Sequence, residues 1–362
     1  MTDEPVPAVL EYSAGRLTDW TATDDARRHP WYAGHGYACL RVDARGHGNS
    51  GGLPADPPDG EPADGAEVLA WLAAQPWCSG RIGLLGTGAA GRTALRLAAR
   101  APGAVHAVVA ACPEVGDRLG GAAPAADLHV RATTRLADAA RPPDPQYVGD
   151  DWRRMWRERL ESLEPSFPQR LAAAAGEPAP DEPPGTAVVP TFAVAGWGDP
   201  SCSTLLELLS GPVPVRAVLG PWPHGLPDEV LPETLRWWDH WLRDVDSGVL
   251  KTPSCAAGSA AAGPARRPGP PRRPRDPLRP RRPAAHRRHR LRRPLRPGPL
   301  PQHTGLNAGA YVPLGRPADL PPDQREEDGR SVCFDSLPLP EPLELLGTPS
   351  LQLRLRPHRA PA

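Results

Sequence analysis

The chain has 362 residues, enough for one α/β domain with a large buried core and part of a second domain. Its 42 basic and 42 acidic residues cancel, its hydrophobic fraction is 40%, and its 51 prolines far exceed ordinary usage, so part of it is expected not to pack. No apolar run reaches the length of about 18 residues that a membrane span needs, which argues against a membrane protein.

In chain order, residues 7–12 (PAVLEY) form a short apolar run expected as a strand, and residues 37–43 a second, followed by a loop holding Gly46, Gly48, Gly51 and Gly52. Residues 64–75 read as a helix with Asp64 as N-cap and Val68, Leu69, Trp71 and Leu72 as its apolar face. Residues 81–100, RIGLLGTGAAGRTALRLAAR, read as a buried strand, a sharp glycine turn and a helix in immediate succession. VHAVVAAC at 105–112 is continuously apolar, as a parallel strand covered on both faces should be. From 113 to 186 the alternation breaks, and helical stretches at 127–140 and 149–163 are read as an inserted cap, the second with Trp152, Met155, Trp156 and Leu160 as a packing stripe. A strand ending at Asp199, a short helix at 203–210, the strand VPVRAVLG and the loop PWPHG follow. The closing helix has Leu231, Leu235, Trp238, Trp241 and Leu242 as its docking face and Arg236, Asp239 and Arg243 outside. Strands alternating with helices over this length argue a doubly wound, mainly parallel sheet.

Beyond about residue 253 the chain turns to Arg, Pro, Ala and Gly, and between residues 264 and 297 it carries 14 Arg against one acid, Asp276. Proline removes backbone donors and like charges repel, so 251–303 is expected to be disordered. The tract lacks interleaved aromatics for stacking bases, so any contact with nucleic acid would be non-specific and lost in salt. Two origins compete, a disordered linker inserted between the domains and a reading frame that slipped and later returned; the Arg, Pro, Ala and Gly composition fits the second, so another frame across 253–303 is expected to yield alternating apolar strands. Lys251 is the single lysine, a bias of base composition and not a statement about partners. SVCFDS, LELLG and SLQLRLR then read as short strands of an incomplete β domain. Cys39, Cys78, Cys112, Cys202, Cys255 and Cys333 show no C-x-x-C spacing and read as reduced core thiols or incidental positions, not zinc ligands or a disulfide frame. With no charged-then-apolar leader, a cytoplasmic protein is expected.

The chemistry-bearing stretch is the glycine turn. In G-x-S-x-G a serine stands at the tip of a strained strand-to-helix elbow, its hydroxyl above the sheet. Here the tip reads GTGAAG: Gly86 and Gly91 permit close approach of strand and helix, and Gly88 stands where the serine would. Thr87 beside it is expected to point away, and Cys112, Ser201, Cys202 and Ser203 lie near strand ends but not at a strained tip, so none is expected to replace it. The loop DARGHGNSGG is not a phosphate loop, since no GK[ST] follows.

Through AVLEY, RVDARGHGNSGG, AEVLAWLAAQPWCSGRIGLLG, AGWGD, GPWPHG, LRWWDHWL and DLPPDQREEDGRSVCFDSLPL, the chain resembles the cocaine-esterase-like and X-prolyl dipeptidyl-peptidase hydrolases over roughly 5–252 and 304–358. That resemblance implies an α/β-hydrolase domain at 1–250 with a helical cap at 113–186, and at 304–362 a fragment of a C-terminal jelly roll. It implies hydrolysis of a small acyl ester or X-Pro peptide, without cofactor, metal or membrane partner. Asp199 falls on the acid of the family triad and His224 on the base, where histidine would take the nucleophile's proton and aspartate would orient the imidazole. The nucleophile falls on Gly88, and a family tyrosine that serves the oxyanion falls near Gly15, leaving the Ala89 amide as donor. The expectation is therefore a silent remnant of a hydrolase. The alternative is a non-catalytic binding protein whose basic tract meets nucleic acid or acidic partners.

Overall fold

The computed structural model describes residues 4–54 except 20; 60–113; 133–162 except 134, 135 and 139; 187–257 except 203, 204, 206, 207, 210 and 211; and 301–333 except 311, 313, 317, 318 and 332. Strands β1 (Val6–Ser13), β2 (Ala38–Asp43), β3 (Cys78–Thr87), β4 (Ala107–Ala111), β5 (Thr191–Gly196), β6 (Val215–Gly220) and β7 (Cys255–Ala257) form one sheet in the order 2-1-3-4-5-6-7. All six neighbouring pairs are parallel. The order reverses between β1 and β3, and in such sheets ligands bind beyond the carboxyl ends of the strands at that reversal.

Parallel strands need covering on both faces, and the period of two in each strand divides its side chains between two cores. Leu10 and Tyr12 of β1 and Ile82 and Leu84 of β3 join one core, which α2 (Gly60–Ala73) closes with Leu69 and Leu72 and α3 (Ala89–Arg100) with Ala94 and Leu97. Val9 and Leu85 point the other way, into a core closed by Tyr32 of α1 (Ala22–Gly34) and by Trp237, Trp238 and Leu242 of the closing helix at Leu231–Arg243. That helix comes so near that a Cβ on Gly83 would lie 2.6 Å from the Trp238 ring. Fully buried Trp237 and Trp238 anchor it, at about 3–5 kcal/mol for truncation of either.

The sequence placed most elements within one to three residues, and the departures have identifiable causes. α2 begins at Gly60, so Asp64 is not its N-cap; instead it forms an ion pair with Arg45 of the glycine loop at 2.5 Å. Trp71, assigned to the apolar face, is 54% exposed. Trp237 was missed because adjacent Trp237 and Trp238 both fit into the aromatic wall, while Trp241 is half-buried. In the proposed cap, α4 (Trp152–Glu161) follows a short turn at Gly149–Asp151, but its expected stripe is only half-buried and Leu160 is exposed. The buried residue there is Arg159, 2% exposed, whose guanidinium donates to the carbonyls of Gly48 (2.9 Å) and Ser50 (2.6 Å). Of the stretch 127–140, residues 136–138 are helical; most of the rest lies outside the described residues.

The expected disorder of 251–303 is corrected at its near end. Residues 255–257 are β7, paired to β6, and the first compact unit runs from residue 1 to 258 with Tyr311–Gly315 and Leu346–Ala362, not to 250. Residues 258–300, and the expected strands LELLG and SLQLRLR, lie outside the described residues, as does most of SVCFDS. In the second unit, Ser259–Ala310 with Arg316–Leu345, a helical turn at Arg325–Asp328 buries Glu327, which accepts from the amides of Gly305 (2.7 Å) and Asn307 (3.2 Å).

Candidate active site

The candidate site lies at the carboxyl ends of four neighbouring strands, β3 to β6. The turn between β3 and α3 is a true elbow: Gly88 has φ 60° and ψ −122°, a strained conformation that residues with a side chain rarely adopt. Its amide donates to the carbonyl of Ala111 (2.9 Å), tying the tip to the end of β4, and a Cβ on Gly86 would overlap the Ala90 carbonyl. A Cβ on Gly88 would project toward His224, 2.9 Å from Nε2 and 3.4 Å from Cε1.

His224 stands in the loop after β6. Trp222 of that loop lies across the ends of β5 and β6, against positions where Gly196 and Gly220 have no side chain to obstruct it. Two residues on, His224 Nδ1 donates to Asp199 Oδ2 at 2.7 Å. Asp199 follows β5 and is 4% exposed; its other oxygen accepts from the Ser201 amide (2.9 Å) and hydroxyl (2.5 Å). Burial pushes the Asp199 carboxyl up, but the hydrogen bonds from His224 and Ser201 outweigh it and hold the group below the usual carboxylate range. Burial likewise pulls His224 down, and the bonds to Asp199 and Cys112 overcome this and raise it to about 10.

Gly88, Asp199 and His224, far apart in the chain, thus converge. Ala89 opens α3 beside the tip and is exposed. Gly15 follows β1, on the same edge of the sheet, where its amide donates to Ser13 Oγ (3.0 Å) and its carbonyl accepts from Arg41 (3.2 Å). The glycine loop serves the fold, because the Asp43 carboxylate holds it by accepting from the amides of Leu17 (3.0 Å) and Asn49 (2.8 Å).

Two neighbours of the pair were not legible as such. Ser201 fixes Asp199, and the only sequence hint is the short D-x-S turn. Cys112, expected only as a residue near a strand end, has φ 44° and brings its thiol against His224. Burial first, then the charges of Asp199 and Cys112, push the nearby Cys202 thiol up to about 11.

A parallel sheet with this elbow, and with an aspartate and a histidine on the loops after β5 and β6, is that of an α/β-hydrolase. The family model for X-Pro dipeptidyl-peptidase (S15 family) matches residues 1–226, and that for the X-Pro dipeptidyl-peptidase C-terminal non-catalytic domain matches residues 278–362. The chain belongs to this family of serine esterase and peptidase-type hydrolases. The second match begins inside the Arg and Pro tract. Over 89 residues, 24% of this chain, it is 38% identical to a Mycobacterium bovis protein named as a serine esterase, and the match spans 14% of that protein. Among solved structures, a CocE/NonD family hydrolase from Staphylococcus aureus is similar over 71% of this chain and 49% of its own, with 16% identity and TM-score 0.48. An aminopeptidase from a Thaumarchaeota archaeon is similar over 70% and 52%, also with 16% identity, at TM-score 0.42. The chain spans about half the length of these two. No helix among the described residues is long and apolar enough to cross a membrane.

Proposed function

We propose that this chain is a serine-hydrolase relative whose nucleophile position is occupied by Gly88, and that it does not turn over the acyl esters or X-Pro peptides its family suggests. One observation carries the reading: the elbow holds the backbone conformation of a nucleophile, aimed at His224 Nε2, and bears no side chain. Asp199 and His224 are then the acid and base positions, and the Ala89 amide is the remaining oxyanion donor. Removing a triad nucleophile costs a factor of about a million in turnover. A missing oxyanion donor, such as the tyrosine absent at Gly15, costs on the order of a hundred-fold or more beyond that. Cys39, Cys78, Cys112, Cys202 and Cys255, which form no disulfide, suit a cytoplasmic protein, which we include in the proposal.

The test is a fluorophosphonate probe on the purified chain, together with turnover of a chromogenic acetyl ester and of an X-Pro anilide. No labelling and rates at buffer background are expected. Stoichiometric labelling that maps to Thr87, or to any residue of the cap, overturns the reading.

A further inference from the structure

Beside the elbow, three side chains that bind metals face one another: Cys112 after β4, Asp199 after β5 and His224 after β6, with one ligand atom of each within 4.8 Å of the other two. Cys112 is 1% exposed and Asp199 is 4% exposed, so two of the three ligands are shut off from bulk water. Each ligand is also oriented by a neighbour. Ser201 occupies Asp199 Oδ1 and leaves Oδ2 facing the imidazole, and Cys112 Sγ is held by Gly225, whose amide donates to it at 3.4 Å and whose carbonyl accepts from it at 3.7 Å. Such outer hydrogen bonds are what fix ligand geometry in metal sites. Finally, Cys112 holds φ 44°, a conformation disfavoured for a residue with a Cβ, and the thiol reaches this cluster from that backbone.

We infer that Cys112, Asp199 and His224 form a binding site for one thiophilic divalent cation of the zinc type. A thiolate, an imidazole and a carboxylate are zinc's ligand classes, and calcium or magnesium would require oxygens throughout. The cation takes the place of the proton between His224 Nδ1 and Asp199 Oδ2, whose 2.7 Å separation opens by roughly half an ångström around bonds of about 2.0–2.1 Å. The Cys112 thiol and the His224 ring each release a proton to solvent, no electrons move, and the fourth tetrahedral position is left to water. In a working triad a metal here would block the histidine; with glycine at position 88 nothing is blocked. Among the described residues, the other cluster of this kind, Glu11, Asp25 and His29, already contains a cation, since the Arg41 guanidinium lies 2.5 Å from Asp25 and 3.6 Å from Glu11. The Cys112 cluster departs from the sequence reading of all six cysteines as core thiols or incidental positions, because the convergence of three strand ends is invisible in spacing.

Cobalt(II) titrated into the metal-free chain tests this. One equivalent should bind and give a near-ultraviolet sulfur-to-cobalt band with the visible bands of four-coordination, all bleached by zinc. Cys112→Ser and His224→Ala should abolish the sulfur band, and Cys202→Ser should retain it. Should those variants not fold, X-ray absorption on the zinc-loaded wild-type chain decides: one sulfur near 2.3 Å with nitrogen and oxygen at about 2.0–2.1 Å is expected. No uptake at micromolar metal, a sulfur band that survives Cys112→Ser, or a shell with no sulfur or with two overturns the inference. None of these readouts depends on whether the chain hydrolyses anything.

Discussion

The elbow at Gly88 and the loops carrying Asp199 and His224, which we propose correspond to the three positions of a hydrolase triad, keep their geometry in different materials. At the elbow position 88 bears no side chain, and the geometry resides in the backbone, in the φ and ψ of Gly88 and in the tight packing of β3 on α3 around Gly86. At Asp199 and His224 the geometry is carried by side-chain hydrogen bonds, with Ser201 behind one and Trp222 beneath the loop of the other. A backbone conformation enforced by packing does not need its side chain. A buried aspartate and histidine need each other whether or not a proton is ever transferred, because an isolated buried charge is costly.

The largest effect expected falls on the side-chain half. Asp199→Ala leaves the imidazole buried without its acceptor and should cost about 3–5 kcal/mol in urea unfolding at neutral pH. A loss below that of an ordinary surface substitution would mean that the pair does not hold these loops. Next comes the backbone half. Gly88→Ser puts a Cβ into a strained conformation and against His224, and should cost about 1–3 kcal/mol, read as a lowered melting temperature. It should restore little turnover, because Gly15 offers no hydroxyl; recovery of rapid ester hydrolysis would show a complete oxyanion site. The smallest effect is a control beneath both halves. The Tyr32 hydroxyl, 2.6 Å from Thr234 Oγ1, is raised by burial to about 12. An unfolded tyrosine ionises near 10, so this stability is present below pH 10 and is lost as pH rises toward 12. Tyr32→Phe should cost only about 0.5–1.5 kcal/mol at pH 7 and flatten part of the fall in urea midpoint above pH 10. An unchanged alkaline limb would place its origin elsewhere.

Sheet and site were legible to different depths. Apolar runs and glycine turns gave six of the seven strands; Gly88 was read from the glycine elbow itself, whereas Asp199 and His224 were singled out only through the family resemblance of AGWGD and GPWPHG. β7 was missed because three residues, Cys255 to Ala257, carry no period and stand at the edge of a compositional break. Arg159 and Cys112 were missed for a different reason. Their burial depends on carbonyls and strand ends distant in sequence, and an arginine in a helix or a cysteine in an apolar run gives no sign of such partners.

That missed strand bears on how the chain behaves in company. β7 covers β6 along Ala217, Val218 and Leu219, and the Ala217 amide is satisfied by the Ser254 carbonyl at 2.7 Å. An open, apolar strand edge is a template for another chain's strand, and a very short outer strand is one of the ways natural sheets blunt it. Among the described residues, the three of β7 on the margin of the arginine tract stand at the outer end of this sheet, and a chain cut after Thr252 would present β6 as an adhesive edge.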